Sequence, residues 1–204
     1  MQNMNNYIVI GFVVLYYTVT LFLVRRVRFT THNICLCSIV VAMTLVLESI
    51  QIPLPTGATI ALCSPVPLMV LAIVTDYRLA IIAGWLCGLL AMLMAPGWQL
   101  VHWGQFFVEH LVCFSCLGYT AVFGTNTRRK VLLGMVLASG LKILGHLMSG
   151  VVFFSQNAWD GWGAWGYSLT YNLSQNIPLC MLSGMIVLLL PLRAMRRAID
   201  GRSV

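Results

Sequence analysis

Basic residues punctuate this chain at intervals that only a bilayer explains. Eleven of the twelve Lys and Arg residues (Arg25, Arg26, Arg28, Arg78, Arg128, Arg129, Lys130, Arg193, Arg196, Arg197 and Arg202) fall in alternate short gaps between apolar runs or at the C-terminus. The intervening gaps at 51–60, 96–103 and 155–170 contain none. Lys and Arg accumulate in cytoplasmic loops, so a chain threaded back and forth through a membrane gives this alternation, with basic gaps inside and the others outside. Apolar residues make up 60% of the chain and charged residues 8%, at a mean hydropathy of +0.90, which leaves too little polar surface to clothe a soluble globule. The expected molecule is an all-α integral membrane protein.

The apolar runs read as seven spans at 7–24, 34–50, 61–75, 79–95, 104–124, 131–154 and 171–192, against a requirement of about 20 residues per helical crossing. That count puts the N-terminus outside and the C-terminus in the cytoplasm. Spans 34–50, 61–75 and 79–95 are short, and 61–75 carries Pro65 and Pro67 near its start, an irregularity tolerated at that depth only where protein surrounds it. The runs are apolar on every face, unlike the alternating strands of a transmembrane barrel. Nothing basic precedes the first run, Ile8 to Val24, and no small-residue cleavage site follows it, so it reads as a retained helix anchored by Arg25-Arg26-Val27-Arg28. Three units result: an N-terminal helix with its basic flank over 1–30, a membrane domain of six helices over 31–192, and a short basic tail over 193–204.

Several functions are disfavoured. The net charge of +7 is dispersed over the cytoplasmic edges, which suits anionic lipid headgroups and not nucleic acid. The seven cysteines are odd in number and lie in or beside apolar runs, and Cys113-Phe-Ser-Cys116 reads as packing within a span. His102, Glu109, His110 and His146 can be drawn as metal ligands of an intramembrane hydrolase, but HExxH, GxSxG and Gly-rich phosphate loops are all missing. The chain is expected to be no enzyme, to hold no metal or cofactor, and to take any energy for uphill transport from a partner.

Ionisable groups inside a bilayer are costly and usually face a cavity or a partner. Glu109 and His110 sit in the outer part of span 104–124, and Lys142 and His146 at similar depth in span 131–154. Lys142 and His146 are four apart and share a helix face, with Glu109 as the natural counter-ion of Lys142. A buried Lys-Glu pair that merely ties two helices is the bland alternative, and it leaves His146 unexplained. The outer segment 155–170 sets Trp159, Trp162, Trp165 and Tyr167 among Gly161, Gly163 and Gly166. An interfacial aromatic belt accounts for the rings; the glycines favour a loop that folds down as a lid. Asn172 opens the last span beneath that loop, within a glycosylation sequon, Asn172-Leu-Ser174. Glu109, His146, Tyr167 and Asn172 thus converge in the composition of a small-molecule pocket, suited to a flat, polar ligand, cationic ones included.

Gly84-Trp-Leu-Cys-Gly-Leu-Leu90, Gln105-Phe-Phe-Val-Glu-His110 and, above all, His146 through Asn172 resemble the thiamine-specific substrate-binding component of energy-coupling-factor transporters, over roughly 34–192. The resemblance implies a six-helix subunit that captures thiamine at the external face and works with a transmembrane scaffold protein and two cytosolic ATPases, so that ATP is used by the partners. It implies thiamine contacts for Glu109, His146, Tyr167 and Asn172, with stacking from loop aromatics such as Trp159; His110, Lys142 and Phe154 stand beside them as further candidate binding residues. The chain departs from the family in its additional helix, in Phe154 where the family has a stacking tryptophan, and in His110 where a tyrosine follows the glutamate. A further family tryptophan falls near Cys87, two residues from Trp85; Trp98 and Trp103 could supply aromatic surface instead. A component for a related vitamin or precursor therefore stays open. Family members dock on their scaffold through small residues of the first core helix, where this chain has Ser38 and Ala42 in small-xxx-small spacing. A structural subunit that binds nothing is the remaining alternative; substituting Glu109 or Asn172 would then harm folding alone, whereas a binding subunit would give folded, ligand-deaf variants.

Overall fold

The computed structural model describes residues 2–94 and 101–201. It is a helical bundle: α1 (Gln2–Val24), α2 (Thr31–Ser49), a small hairpin of β1 (Gln51–Pro53) and β2 (Thr59–Ala61), α3 (Pro65–Val74), α4 (Tyr77–Met94), a broken helical segment from Trp103 to Ala121, α7 (Arg128–Phe153), α8 (Ala164–Leu189) and the short α9 (Leu192–Ile199). The broken segment comprises α5 (Trp103–Gln105), a π-helical turn (Phe106–Leu111), α6 (Val112–Ser115) and a 3₁₀ turn (Cys116–Ala121). Trp98 lies outside the described residues.

Among the described residues four helices are long and apolar enough to cross a membrane: Met4–Val24 within α1, then α2, α7 and α8. At 26 residues, α7 and α8 each extend about 39 Å, more than a hydrocarbon core of roughly 30 Å. The run expected to cross at 61–75 is different. Its first residue, Ala61, ends strand β2, residues 62–64 turn, and α3 is only ten residues, about 15 Å, too short to span alone. The start is local: Pro65 and Pro67 sit in the first helical turn, where a missing N–H costs no intrahelical bond, so the helix begins at Pro65; it ends at Val74, with Thr75 as its C-cap. The residues before it pair with Gln51–Pro53, in the register Ile52 opposite Ile60, which turns an expected external loop into a hairpin.

The core forms where α3, α4 and the broken segment meet, around Leu68, Met69, Leu71, Ile81, Val112 and Leu117. Gly84 and Gly88 of α4 let the backbones approach closely: a Cβ at either position would collide with the main chain at Ser115 or His110. The run expected to span at 104–124 is helical from Trp103 to Ala121, but as π, α and 3₁₀ pieces pressed between α4 and α7, where protein can satisfy its irregular backbone. Cys113 and Cys116 belong to this packing, and the Cys113 Sγ lies 3.5 Å from the Lys142 carbonyl. The expected basic tail is mainly α9, which carries Arg193, Arg196 and Arg197 and is joined to the loop before α7 by a 2.7 Å hydrogen bond from Arg196 to Thr125 Oγ1. Ser38 and Ala42 lie on an exposed face of α2.

Candidate functional site

A cavity of about 520 Å³ opens between the hairpin, the π-turn, α7 and α8, within the usual range for small-molecule sites. The π-turn delivers its acid. Glu109 Oε2 accepts hydrogen bonds from Gln105 Nε2 at 3.0 Å and Ser149 Oγ at 2.8 Å, while Oε1 lies 3.5 Å from His146 Nδ1. On the far side of the imidazole, Lys142 Nζ is 3.3 Å from Nε2. An imidazole protonated on Nδ1 serves both neighbours, donating to the carboxylate and accepting from the ammonium. Glu109 is therefore not the direct partner of Lys142 that the spacing suggested; His146 stands between them. The reason is reach: Lys142 lies one turn before His146 on α7, with its ammonium 5.5 Å from the centre of the Phe114 ring.

Residues of α8 line the opposite wall. Asn172 Nδ2 donates to the Ser168 carbonyl at 2.8 Å, with Ser168 Oγ at 3.1 Å and the His146 carbonyl at 3.3 Å, and its Oδ1 accepts from Gln175 at 3.2 Å. The amide is buried, which rules out glycosylation of Asn172 in the folded chain. Its donors tie α8 to α7, so Asn172 shapes the wall as much as it offers polar atoms to it. Tyr167, Phe154, His110 and Lys142 also line the cavity.

Trp159 does not line the cavity. It packs edge-on against Tyr167 at 5.1 Å and against Trp162 at 5.2 Å, above the residues that do. The segment closes as a tight turn in which Trp162 N–H donates to the Trp159 carbonyl at 2.8 Å, and Gly161 takes a φ of +79° that L side chains avoid. Trp159 faces Tyr167, whereas Trp162 and Trp165 are exposed. Trp85 faces away from the cavity and stacks with Tyr17 of α1, with centroids 6.5 Å apart. Trp103 is 73% exposed. His102 caps Gly104 N–H and stacks on Phe153 instead of joining a metal set, and no metal-binding group of His, Cys, Asp or Glu occurs among the described residues.

Several lining residues were passed over in the sequence: Glu48 at the end of α2, Gln105, Ser149, Tyr171, Gln175 and Asn176. Most were within reach of helical spacing, since Gln105 is four before Glu109, Ser149 three after His146, and Gln175 and Asn176 three and four after Asn172. The hairpin completes the wall, with Tyr171 OH donating to the Gly57 carbonyl at 3.4 Å and Thr56 Oγ1 3.3 Å from Ser174 Oγ.

Residues 34–199 match the model of the family described as Thiamine transporter protein (Thia_YuaJ). The chain belongs to that family. Among its relatives is the thiamine transporter ThiT of Bacillus subtilis (strain 168), 24% identical over 174 residues that cover 78% of this chain and 90% of the relative. A solved structure of ThiT from Listeria monocytogenes shares the fold with a TM-score of 0.71 at 24% identity, covering 82% of this chain and 96% of that one. Thiamine transporter family members are transporters and not enzymes, and this one is a multi-pass membrane protein. The family match begins after α1, which ends at Val24.

Proposed function

We propose that this chain is the substrate-capture subunit of an energy-coupling-factor importer and that it binds thiamine in the cavity, from the external face. The observation that carries the reading is the charge lining the cavity: Glu48, Glu109 and Lys142 sum to one negative charge with His110 and His146 both neutral, the complement of a ligand bearing a single fixed positive charge. Thiamine joins a thiazolium cation to an aminopyrimidine. The Glu109 carboxylate can accept from the exocyclic amine or face the cation, His146 holds that carboxylate in place, Asn172 offers its remaining acceptor capacity, and Tyr167 and Phe154 supply aromatic faces. Trp159 presses on Tyr167 from above and so acts on the ligand through it. Family membership and the fold of the Listeria protein support the same ligand class.

Seven crossings, with the N-terminus outside and the basic gaps inside, put the cavity mouth on the outer surface; the broken segment and the hairpin-α3 unit each count as one crossing. No energy source is needed in the chain itself: two cytosolic ATPases hydrolyse ATP, and a transmembrane scaffold docks on the exposed small-residue face of α2 at Ser38 and Ala42. Anionic lipids neutralise the basic end.

The deciding experiment is titration of purified, detergent-solubilised protein with thiamine, read by intrinsic Trp fluorescence and by calorimetry. Saturable quenching at one site per chain is expected. A flat titration on protein that melts cooperatively would sink the assignment, and small molecules co-purifying with the chain would then identify its true ligand by mass spectrometry.

A further inference from the structure

α1 precedes the residues matched to the family, yet it is built into the site. Asn5, Val9, Phe12, Tyr16 and Thr20 recur at helical spacing along one face, and Val9, Tyr16 and Thr20 are buried. Tyr16 OH lies 2.7 Å from Ser115 Oγ and Thr20 Oγ1 lies 2.7 Å from Tyr119 OH. The neighbouring Tyr17 hydroxyl donates to the Phe107 carbonyl at 2.9 Å. All three partners belong to the broken segment, and Phe107 is in the π-turn two residues before Glu109. At the other end of the same helix, Trp165 Nε1 donates to Asn5 Oδ1 at 3.2 Å. Trp165 stands in the first turn of α8, directly behind the lid and two residues before Tyr167.

An added helix that served only as a membrane anchor would need none of these polar contacts. The opposite face of α1 is suited to lipid: Ile10, Val14, Leu15 and Leu21 are exposed and apolar. Tyr16, Tyr17 and Thr20 reach toward a segment whose backbone departs from α-helical geometry and so depends on protein contacts at membrane depth. One continuous helix of 23 residues therefore links two parts of the cavity wall, the turn that carries Glu109 and the hinge of the lid.

We infer that α1 is an intrachain brace that sets how long ligand stays bound. Tyr17 is a positioning residue for Glu109, acting through the π-turn, and Asn5 is a positioning residue for the lid, acting through Trp165. This rests on the cavity being the thiamine site. Lid opening moves the start of α8 away from α1, so the Asn5 to Trp165 bond has to break before ligand leaves. Entry happens with the lid open and does not require that bond.

The test measures binding and release of radiolabelled thiamine on full-length protein carrying Asn5→Leu, Asn5→Asp or Tyr17→Phe, with melting temperature recorded for each. Asn5→Leu is expected to release thiamine about two- to tenfold faster, the effect of one net hydrogen bond, with association rate and melting temperature unchanged. Asn5→Asp keeps the acceptor and is expected to restore the wild-type release rate. Tyr17→Phe is expected to release faster by a similar factor. Release rates equal to wild type in both Asn5→Leu and Tyr17→Phe overturn the brace while leaving the thiamine site intact, and so does a lowered melting temperature with unaltered release. A wild-type chain that binds no thiamine removes the ligand assignment and the brace together.

Discussion

Gly150 and Ser168 meet with no room for a methyl group between them. A Cβ built on Gly150 collides with Ser168 Oγ and comes within 3.2 Å of Asn172 Nδ2. The glycine is thus what allows α7 and α8 to close around the cavity and lets Ser168 donate to the Leu147 carbonyl at 2.9 Å. Gly150→Ala is expected to cost about 1–3 kcal/mol of stability by overpacking and to weaken ligand binding by displacing Asn172. Thermal melting and a thiamine titration on the same sample check both effects.

Glu109→Gln separates charge from shape. Glutamine can still accept from Ser149 or Gln105, so the fold should hold and the melting temperature should change little. Thiamine affinity should fall about tenfold to a hundredfold, the range for losing a hydrogen bond to a charged acceptor. Calorimetry is the measurement, and wild-type affinity in the variant would remove Glu109 from the binding wall.

How much of this was legible in the sequence depended on whether a feature was local. The basic gaps and apolar runs marked α1, α2, α7 and α8, because helix length and loop charge are properties of contiguous residues. Lys142, His146 and Asn172 were readable as rare polar groups in apolar surroundings. The hairpin was not, since Gln51–Pro53 and Thr59–Ala61 are three-residue strands whose pairing draws on Tyr171 and Ser174 far along the chain. The order Lys142, His146, Glu109 was equally hidden: spacing shows which residues share a helix face, but the π-turn decides which nitrogen the carboxylate meets. Glu48 escaped notice because the end of α2 reads as a boundary, where a carboxylate is ordinary.

Asn172 should behave differently from Glu109. Its amide joins α8 to the His146 carbonyl and to Ser168, so Asn172→Ala removes an interhelical tie as well as a cavity-facing group. The melting temperature and thiamine affinity are expected to fall together, with about 1–3 kcal/mol lost from stability through unsatisfied buried partners. Scanning calorimetry with and without thiamine distinguishes this from Glu109→Gln, where binding alone should suffer.

The lid offers a test in which strain acts with no steric contact. Gly161 holds a φ of +79° and a Cβ there would meet nothing within 4 Å, so Gly161→Ala adds only the cost of a left-handed L residue, about 1 kcal/mol. That cost falls on the turn that seats Trp159 against Tyr167. If the turn forms only when the lid closes over ligand, the variant should bind thiamine about fivefold more weakly at an unchanged melting temperature. Gly163 provides the control, because its φ of −79° is open to any L residue and its Cβ position is also empty. Gly163→Ala should bind as wild type does. Equal affinities for the two alanine variants would mean that the turn persists whether or not the cavity is filled, and the segment would then be a fixed rim instead of a moving lid.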